Sequence, residues 1–364
     1  VAKKSGKPTG AAARKGGAKL RAAVIGVGGI GRHHLREYAK SARAEVVAVC
    51  DSSAEALEAV RKEGVTCEAY QDYKAMLAEA RPDVVSVCLP NNLHAPVTIA
   101  ALEAGAHVLC EKPLATSAAD AARMVETARR RRLKLGVNLS YRFNGFSLFL
   151  HELAEKGEFG EVYFAHTVWH RRRGVPRGTG WFVDRSRAGG GPLIDLGVHR
   201  LDLAWWLMGR PRPVRATGVT YAKFAKLYSE KFGIPVTTED LAAGFVRFAN
   251  GAALSVQASW AGNTERHERM VTRLWGTKAG AVQENVGDGY DFTCRVFRSE
   301  SGAEVDISPH PGMLPAAASS VEDFCLAVAE GKPMLAPGED GLAVQKMLDA
   351  IYRSAELGRE VEID

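Results

Sequence analysis

The run Gly26-Val27-Gly28-Gly29-Ile30-Gly31 closes one apolar segment, AAVIGV, and opens a helix-like one, HHLREYAK. That context constrains the chain more than any other feature. A strand that turns through glycines directly into a helix must lay the helix on a sheet, and such a pair cannot bury its apolar surface alone. The pattern continues downstream. EVVAVC, DVVSVCL and HVLC read as buried strands, with KLGVNLS at 134–140 as the last. AEALEAVRKEG, YKAMLAEA, APVTIAALEAG and SAADAARMVETARRRR read as helices between them. Unbroken apolar strands alternating with helices predict an α/β domain over residues 20–140, with a doubly wound parallel sheet covered on both faces.

The spacing of the glycines matches a dinucleotide loop in the strand–helix context which that loop requires. Gly26 permits the tight turn, Gly28 lets a pyrophosphate approach the backbone, and Gly31 lets the helix pack closely, with Gly29 and Ile30 completing the loop. Asp51 ends the second strand, twenty residues past Gly31. An acid there can bind a ribose 2′-OH and would repel a 2′-phosphate, and Ser52 and Ser53 offer no cation, so the pattern favours NAD over NADP. Ligands of open parallel sheets sit at the carboxyl ends of the strands. Two further strand tips should line that crevice: Leu89-Pro90-Asn91 with His94, and Glu111-Lys112-Pro113.

A second feature lies at 189–202, GGGPLIDLGVHRLD. Asp195, His199 and Asp202 interrupt an apolar helical run at spacings of four and three, which stack side chains on one face of an α-helix. A buried polar group without a partner costs about 1–3 kcal/mol, so each must be paired or in use. Pro192 suits the first helical position. EVYFAHTVWH, PVRATGVTYAKF, DLAAGFVRFA and AALSVQASWAG read as strands, with Phe248-Ala249-Asn250-Gly251 as a hairpin turn. Helices are expected at 144–156, 192–208, 318–330 and 339–357.

The formal charge of +6 is local: residues 1–19 hold six cations and no acid, leaving 42 basic against 42 acidic residues in the body. This tail should be a disordered, solvated extension rather than a nucleic-acid arm, and it has no apolar core like that of a secretory signal. No apolar stretch approaches the roughly 20 residues of a membrane span. The six cysteines show no metal-ligand spacing, so no metal site is expected, and they fit a reducing cytoplasm.

The glycine loop, the strand ending at Asp51, the LPNNLH tip, Glu111-Lys112-Pro113 and GGGPLIDLGVHRLD occur in the order seen in the Gfo/Idh/MocA oxidoreductases, which the chain resembles from about Leu20 to its end. The resemblance implies a Rossmann domain at 20–140. Residues 141–364 would then form an α+β domain with a large, open, mostly antiparallel sheet that binds substrate and assembles a homodimer or homotetramer. It implies catalysis by Lys112, Asp195 and His199, with Pro113 holding Lys112 near the nicotinamide. Tyr141, Arg142 and Trp181 are candidate substrate contacts, beside Asp195 and His199. The run WHRRRGVPRGTGWF, 169–182, reads as a loop suited to a sugar ring or to an oligomer contact. Asp202 would support His199 or cap a neighbouring segment. The expected reaction is hydride transfer between NAD and a secondary alcohol of a sugar, sugar derivative or cyclitol. An NAD-dependent glycosidase working by transient oxidation is the alternative; a non-catalytic nucleotide sensor conflicts with the intact Lys112, Asp195 and His199.

Overall fold

In the computed structural model, which describes residues 18–176 and 180–364, the glycine run follows β1 (Leu20–Ile25), whose last four residues are buried. The tail expected over 1–19 lies, up to residue 17, outside the described residues. After β1 come α1 (Gly29–Lys40), β2 (Ala44–Cys50), α2 (Ala54–Lys62), β3 (Glu68–Tyr70) and α3 (Tyr73–Ala80). The domain continues with β4 (Val84–Val87), α4 (Asn91–Glu103), β5 (His107–Cys110), α5 (Ala118–Arg131) and β6 (Leu135–Val137). The strands pair in parallel in the order β3-β2-β1-β4-β5-β6, which puts the crevice where the order reverses, between β1 and β4. Ser53, Asp72 and Ser117 fix the starts of α2, α3 and α5 by accepting backbone N–H groups of the first turn.

The second part begins with α6 (Gly145–Glu155), β7 (Val162–Arg171), α7 (Arg185–Ala188) and α8 (Val198–Leu207). It goes on through β8 (Pro213–Tyr221), α9 (Ala225–Phe232), β9 (Leu241–Phe248), β10 (Ala253–Ser259), β11 (Glu268–Gly276) and β12 (Ala279–Asn285). Last come β13 (Phe292–Glu300), β14 (Ala303–Ile307), α10 (Ser320–Glu330), α11 (Gly338–Leu357) and β15 (Val361–Glu362). The nine strands of this sheet run β14-β13-β12-β11-β7-β10-β9-β8-β15, antiparallel except where β7 meets β10. Helix α8 lies against one face with all ten residues buried, in a core that includes Trp206, Leu254 and Ile351.

Three features differ from expectation. The chain does not divide cleanly at residue 140, because α10 returns to the first domain: Val321, Phe324 and Cys325 pack with Val24, Leu35 and Val84. WHRRRG is not wholly a loop, since β7 runs on to Arg171. Strands β11 to β14 had no counterpart in the sequence reading. All six cysteines are free, and Cys50, Cys88 and Cys110 are buried. Among the described residues no helix is long and apolar enough to cross a membrane.

Candidate active site

The glycine loop shows why each glycine stands where it does. Gly26 has φ +88°, and a Cβ on it would lie 2.2 Å from the Cys88 carbonyl oxygen. A Cβ on Gly31 would lie 1.8 Å from the Gly26 carbonyl oxygen, so α1 could not approach the strand. Gly28 is different: a Cβ there, as on Gly29, would meet nothing within 4 Å. The space it faces is open, and no side chain caps the N-terminus of α1. Free N–H groups over an open cradle suit a pyrophosphate, and the exposed Ile30 offers an apolar edge beside it. Asp51 anchors the loop, since its Oδ2 accepts the Val27 N–H at 2.9 Å and Oδ1 the Ser53 N–H at 3.0 Å. Each oxygen keeps a second acceptor site. These residues fit NAD.

The two other strand tips are tied together. His94 is fully buried, with Nδ1 2.7 Å from the Pro113 carbonyl oxygen and Nε2 2.8 Å from that of Leu89. Asn91 is buried and donates to the Ala188 carbonyl at 2.8 Å, while Pro90 precedes the first turn of α4. Glu111 is buried too; its Oε1 lies 2.9 Å from His34 Nε2 and accepts from Asn138 Nδ2 at 2.6 Å. His94, Asn91 and Glu111 were expected at the cofactor. In the structure the two His94 ring nitrogens, Asn91 Nδ2 and Glu111 Oε1 hold the tips in place, and Glu111 Oε2 accepts the Lys112 backbone N–H at 3.2 Å.

Lys112 itself, on a cis peptide bond to Pro113, reaches across to the second domain. Its Nζ donates to Asp195 Oδ1 at 2.9 Å and to the Asp195 carbonyl at 3.0 Å. Asp195 Oδ2 accepts the indole N–H of Trp260 at 3.0 Å. Burial would raise the Asp195 carboxyl, but Lys112, the Trp260 N–H and Arg171 hold it below its ordinary value. His199 is 8% exposed, its Nδ1 is buried without a partner among the described residues, and Tyr141 and Trp169 stand against it at ring distances of 5.0 and 5.8 Å. Burial first, then Lys112, Arg200 and Arg171, hold its imidazole well below the usual histidine range.

The polar stripe does not stay on one face. Leu193–Gly197 form a π-turn, in which the Val198 N–H reaches back five residues to Leu193. Turns of this kind recur at functional sites because they re-aim side chains. Pro192 precedes the π-turn in helical conformation rather than at an α-helical first turn. Asp195 faces Lys112, whereas Asp202 faces away and pairs with Arg142, accepting from Nε at 3.0 Å and NH2 at 2.5 Å. Arg142 also donates to Asp340 Oδ2 at 2.6 Å and is 0% exposed. It is therefore not a substrate contact, and Asp202 does not support His199. Tyr141 is at the site as a wall, its hydroxyl directed to Met270 Sδ. Trp181 stacks on Phe182 at 3.8 Å and is not among the described side chains that touch Lys112, Asp195 or His199.

Four side chains at the site had no assigned role in the sequence. Trp260 aims Asp195. Glu268 Oε1 accepts from Trp169 Nε1 at 2.7 Å and Arg171 Nε at 2.9 Å, which places an Arg–Glu pair on the wall beside His199. Tyr290 donates to the same oxygen at 3.0 Å. Glu239, buried, accepts the Gly191 N–H at 2.8 Å and the Tyr352 hydroxyl at 2.7 Å, and so fixes the segment that enters the π-turn. Gly191 has to be glycine here, because a Cβ would lie 2.2 Å from the Glu239 carbonyl oxygen. No motif marks these residues, since each lies far in sequence from the groups of the site that it serves.

Residues 20–139 match the model of an oxidoreductase family with an NAD-binding Rossmann fold, and residues 148–282 match the GFO/IDH/MocA C-terminal domain. The D-glucoside 3-dehydrogenase of Escherichia coli (strain K12) is 36% identical over 94% of this chain and 97% of that protein. The chain belongs to the Gfo/Idh/MocA family. A more distant member, the myo-inositol 2-dehydrogenase of Thermotoga maritima, is 26% identical over 95% of this chain and 99% of its own length. A solved structure of a levoglucosan dehydrogenase with NADH, 25% identical, superposes with a TM-score of 0.82 over 95% of this chain and all (100%) of that one. The Gfo/Idh/MocA protein described here is thus an NAD-binding oxidoreductase that acts on CH–OH groups, built on the Rossmann sheet and the open antiparallel sheet of its family.

Proposed function

We propose that this chain is an NAD-dependent sugar dehydrogenase whose substrate is a glucoside, oxidised at a secondary hydroxyl of the ring, with C3 as the carbon. The observation that carries the reading is the Lys112–Asp195 contact across the two domains, with His199 one turn further on. The similarity to a D-glucoside 3-dehydrogenase over nearly the whole chain supports the substrate class and the carbon.

Oxidising a secondary alcohol removes a hydride from carbon and a proton from oxygen, leaving a carbonyl. NAD, when bound, accepts the hydride; that chemistry belongs to the cofactor. The protein's part is to orient the carbinol and take the proton. Lys112 has three N–H donors and gives two to Asp195, so the third is left for the reacting hydroxyl, where it stabilises developing alkoxide charge. His199, kept neutral, takes the proton. Asp195 orients Lys112, and the glycine loop with Asp51 holds the dinucleotide. The Trp169, Tyr141 and Arg171–Glu268 wall supplies aromatic faces and hydrogen-bonding groups of the kind a pyranose ring uses.

Purified protein incubated with NAD and a panel of glucosides, free sugars and cyclitols, with absorbance at 340 nm and free aglycone followed together, tests this. Stoichiometric NADH, fastest on a glucoside and absent on its 3-deoxy analogue, is the expected result. Aglycone release without net NADH would overturn the dehydrogenase in favour of the glycosidase.

We also propose self-association through the sheet face opposite α8. Val168, Val271, Val282 and Phe297 form an apolar cluster on that face, one residue out of phase with the inward Trp169 and Met270. A monomeric mass in light scattering would exclude it.

A further inference from the structure

Arg200 follows His199 in α8 and is 0% exposed, yet no carboxylate among the described residues accepts from it. Its NH1 lies 3.5 Å from Gln283 Oε1 and its NH2 3.7 Å from Met270 Sδ, both at the weak limit of hydrogen bonding, and its Nε has no partner. A buried guanidinium without an anion costs several kcal/mol unless something replaces the lost water. Here aromatic rings do, together with the Tyr141 hydroxyl beside the guanidinium. The guanidinium carbon stands 4.3 Å from the ring centre of Tyr141, 5.0 Å from Phe292 and 5.5 Å from Trp169. Cation–π attraction is strongest in such desolvated positions. Burial lowers the Arg200 pKa, but only to about 10, so the charge persists at neutral pH.

The other cations around the site are neutralised. Lys112 meets Asp195, Arg171 meets Glu268, and Arg142 meets Asp202 and Asp340. At a distance those pairs act as dipoles, whereas the field of Arg200 is unopposed. Two rings of its cage, Tyr141 and Trp169, are also the rings packed on His199.

We propose that Arg200 is a positioning residue acting through His199: its caged charge, set against the Tyr141–Trp169 wall, adds to burial and to Lys112 in keeping the imidazole unprotonated and ready to take the substrate's proton at neutral pH. This rests on His199 being the base. The groups around the ring are Lys112 from the tip of β5, Asp195 from the π-turn, Arg171 from β7 with Glu268 from β11, Tyr290 from the turn between β12 and β13, and Tyr141 from the segment before α6. Of these, only Lys112 and Arg171 share the sign of Arg200, and each carries its own carboxylate. The Arg200 guanidinium and the His199 ring stand 4.3 and 5.0 Å from the same Tyr141 ring centre, so they are at most about 9 Å apart, and a unit charge within that distance at an effective dielectric near 20 shifts a titration by at least about one pH unit.

The test is an NMR titration of His199 in the full chain carrying ¹³C-labelled histidine, with the resonance assigned by its loss in His199→Gln. The wild-type ring should titrate at least about one unit below the ordinary value of about 6.5. Arg200→Met should raise the midpoint by about one unit. Gln283→Glu supplies the missing carboxylate without removing the guanidinium, and should raise the midpoint as Arg200→Met does. The acidic limb of kcat/KM should move with it. An ordinary midpoint in the wild type, or an unchanged midpoint in folded Gln283→Glu, overturns the proposal. Full turnover by His199→Gln would instead sink the assignment of the base while leaving the NMR result standing.

Discussion

At Lys112 one ammonium is aimed by both domains: Glu111 and His94 fix the strand tip it leaves, and Asp195 receives it on the other side. Lys112→Ala should cut kcat by roughly 10²–10⁴ while NAD affinity, read by fluorescence titration, changes little, because the glycine loop and Asp51 are untouched. Near-normal turnover would remove Lys112 from the chemistry. Lys112→Arg should not rescue, since a planar guanidinium cannot repeat the bond to both the carboxylate and the carbonyl of one residue while pointing a donor at substrate. Trp260→Phe removes one hydrogen bond from Asp195 and should cost less, about tenfold in kcat, with the fold retained. Asp51→Ala should lower the ratio of kcat/KM for NAD over that for NADP. It should also loosen the loop, because the Val27 and Ser53 N–H groups lose their acceptor. An unchanged cofactor preference would take Asp51 out of the ribose role.

At the scale of elements, the segment from Gly189 to Leu207 shows how far a local pattern reaches. The spacing of Asp195 and His199 told correctly that two polar groups lie on a buried helix, because burial and helical period are both written in the local sequence. The π-turn, which holds Asp195 and ends before His199, is not; the extension of the same stripe to Asp202 fails for a different reason, since His199 and Asp202 share the regular turns of α8. Arg142 and Asp202 are sixty residues apart, and their pairing depends on how the turn before α6 meets α8, which no local pattern encodes. Breaking a buried pair by removing one partner costs about 3–5 kcal/mol. Arg142→Met should therefore lower the unfolding midpoint in urea by a corresponding amount yet leave KM for the sugar near the wild-type value. A selective rise in KM with unchanged stability would restore Arg142 as a substrate contact. Glu239→Ala should destabilise by about 1–3 kcal/mol, since the Gly191 N–H and the Tyr352 hydroxyl lose their acceptor inside the protein.

Over the whole molecule, the first domain was the more legible because strands covered on both faces are unbroken apolar runs, and three of its five helices open on Ser or Asp caps. The short edge strand β3, with Glu68 and Ala69 exposed, carries no such run. Strands β11 to β14 mix Arg, Glu and Thr with their apolar residues because one face of the sheet is left open, which hides the two-residue period. The return of α10 to the first domain was invisible for another reason: its apolar stripe fits any apolar surface. Folding also sets a pH dependence. His107 accepts the Lys134 N–H on Nδ1, and burial, then Lys134, lower its pKa to about 4. Between that value and about 6.5 the unfolded chain binds the proton and the folded one does not, so this stability is complete above pH 6.5 and lost as pH falls toward 4. His107→Asn, which keeps an acceptor that cannot titrate, should flatten the fall of the calorimetric Tm over that window relative to wild type; identical slopes would contradict it. The central claim, a hydride taken from a ring carbon under Lys112 and His199, is tested most directly by mass spectrometry of the nicotinamide after turnover of a glucoside deuterated at C3. The account predicts deuterium in the reduced nicotinamide from the wild type and none from Lys112→Ala over the same time. Reduced nicotinamide without deuterium, or equal labelling by both proteins, would contradict it.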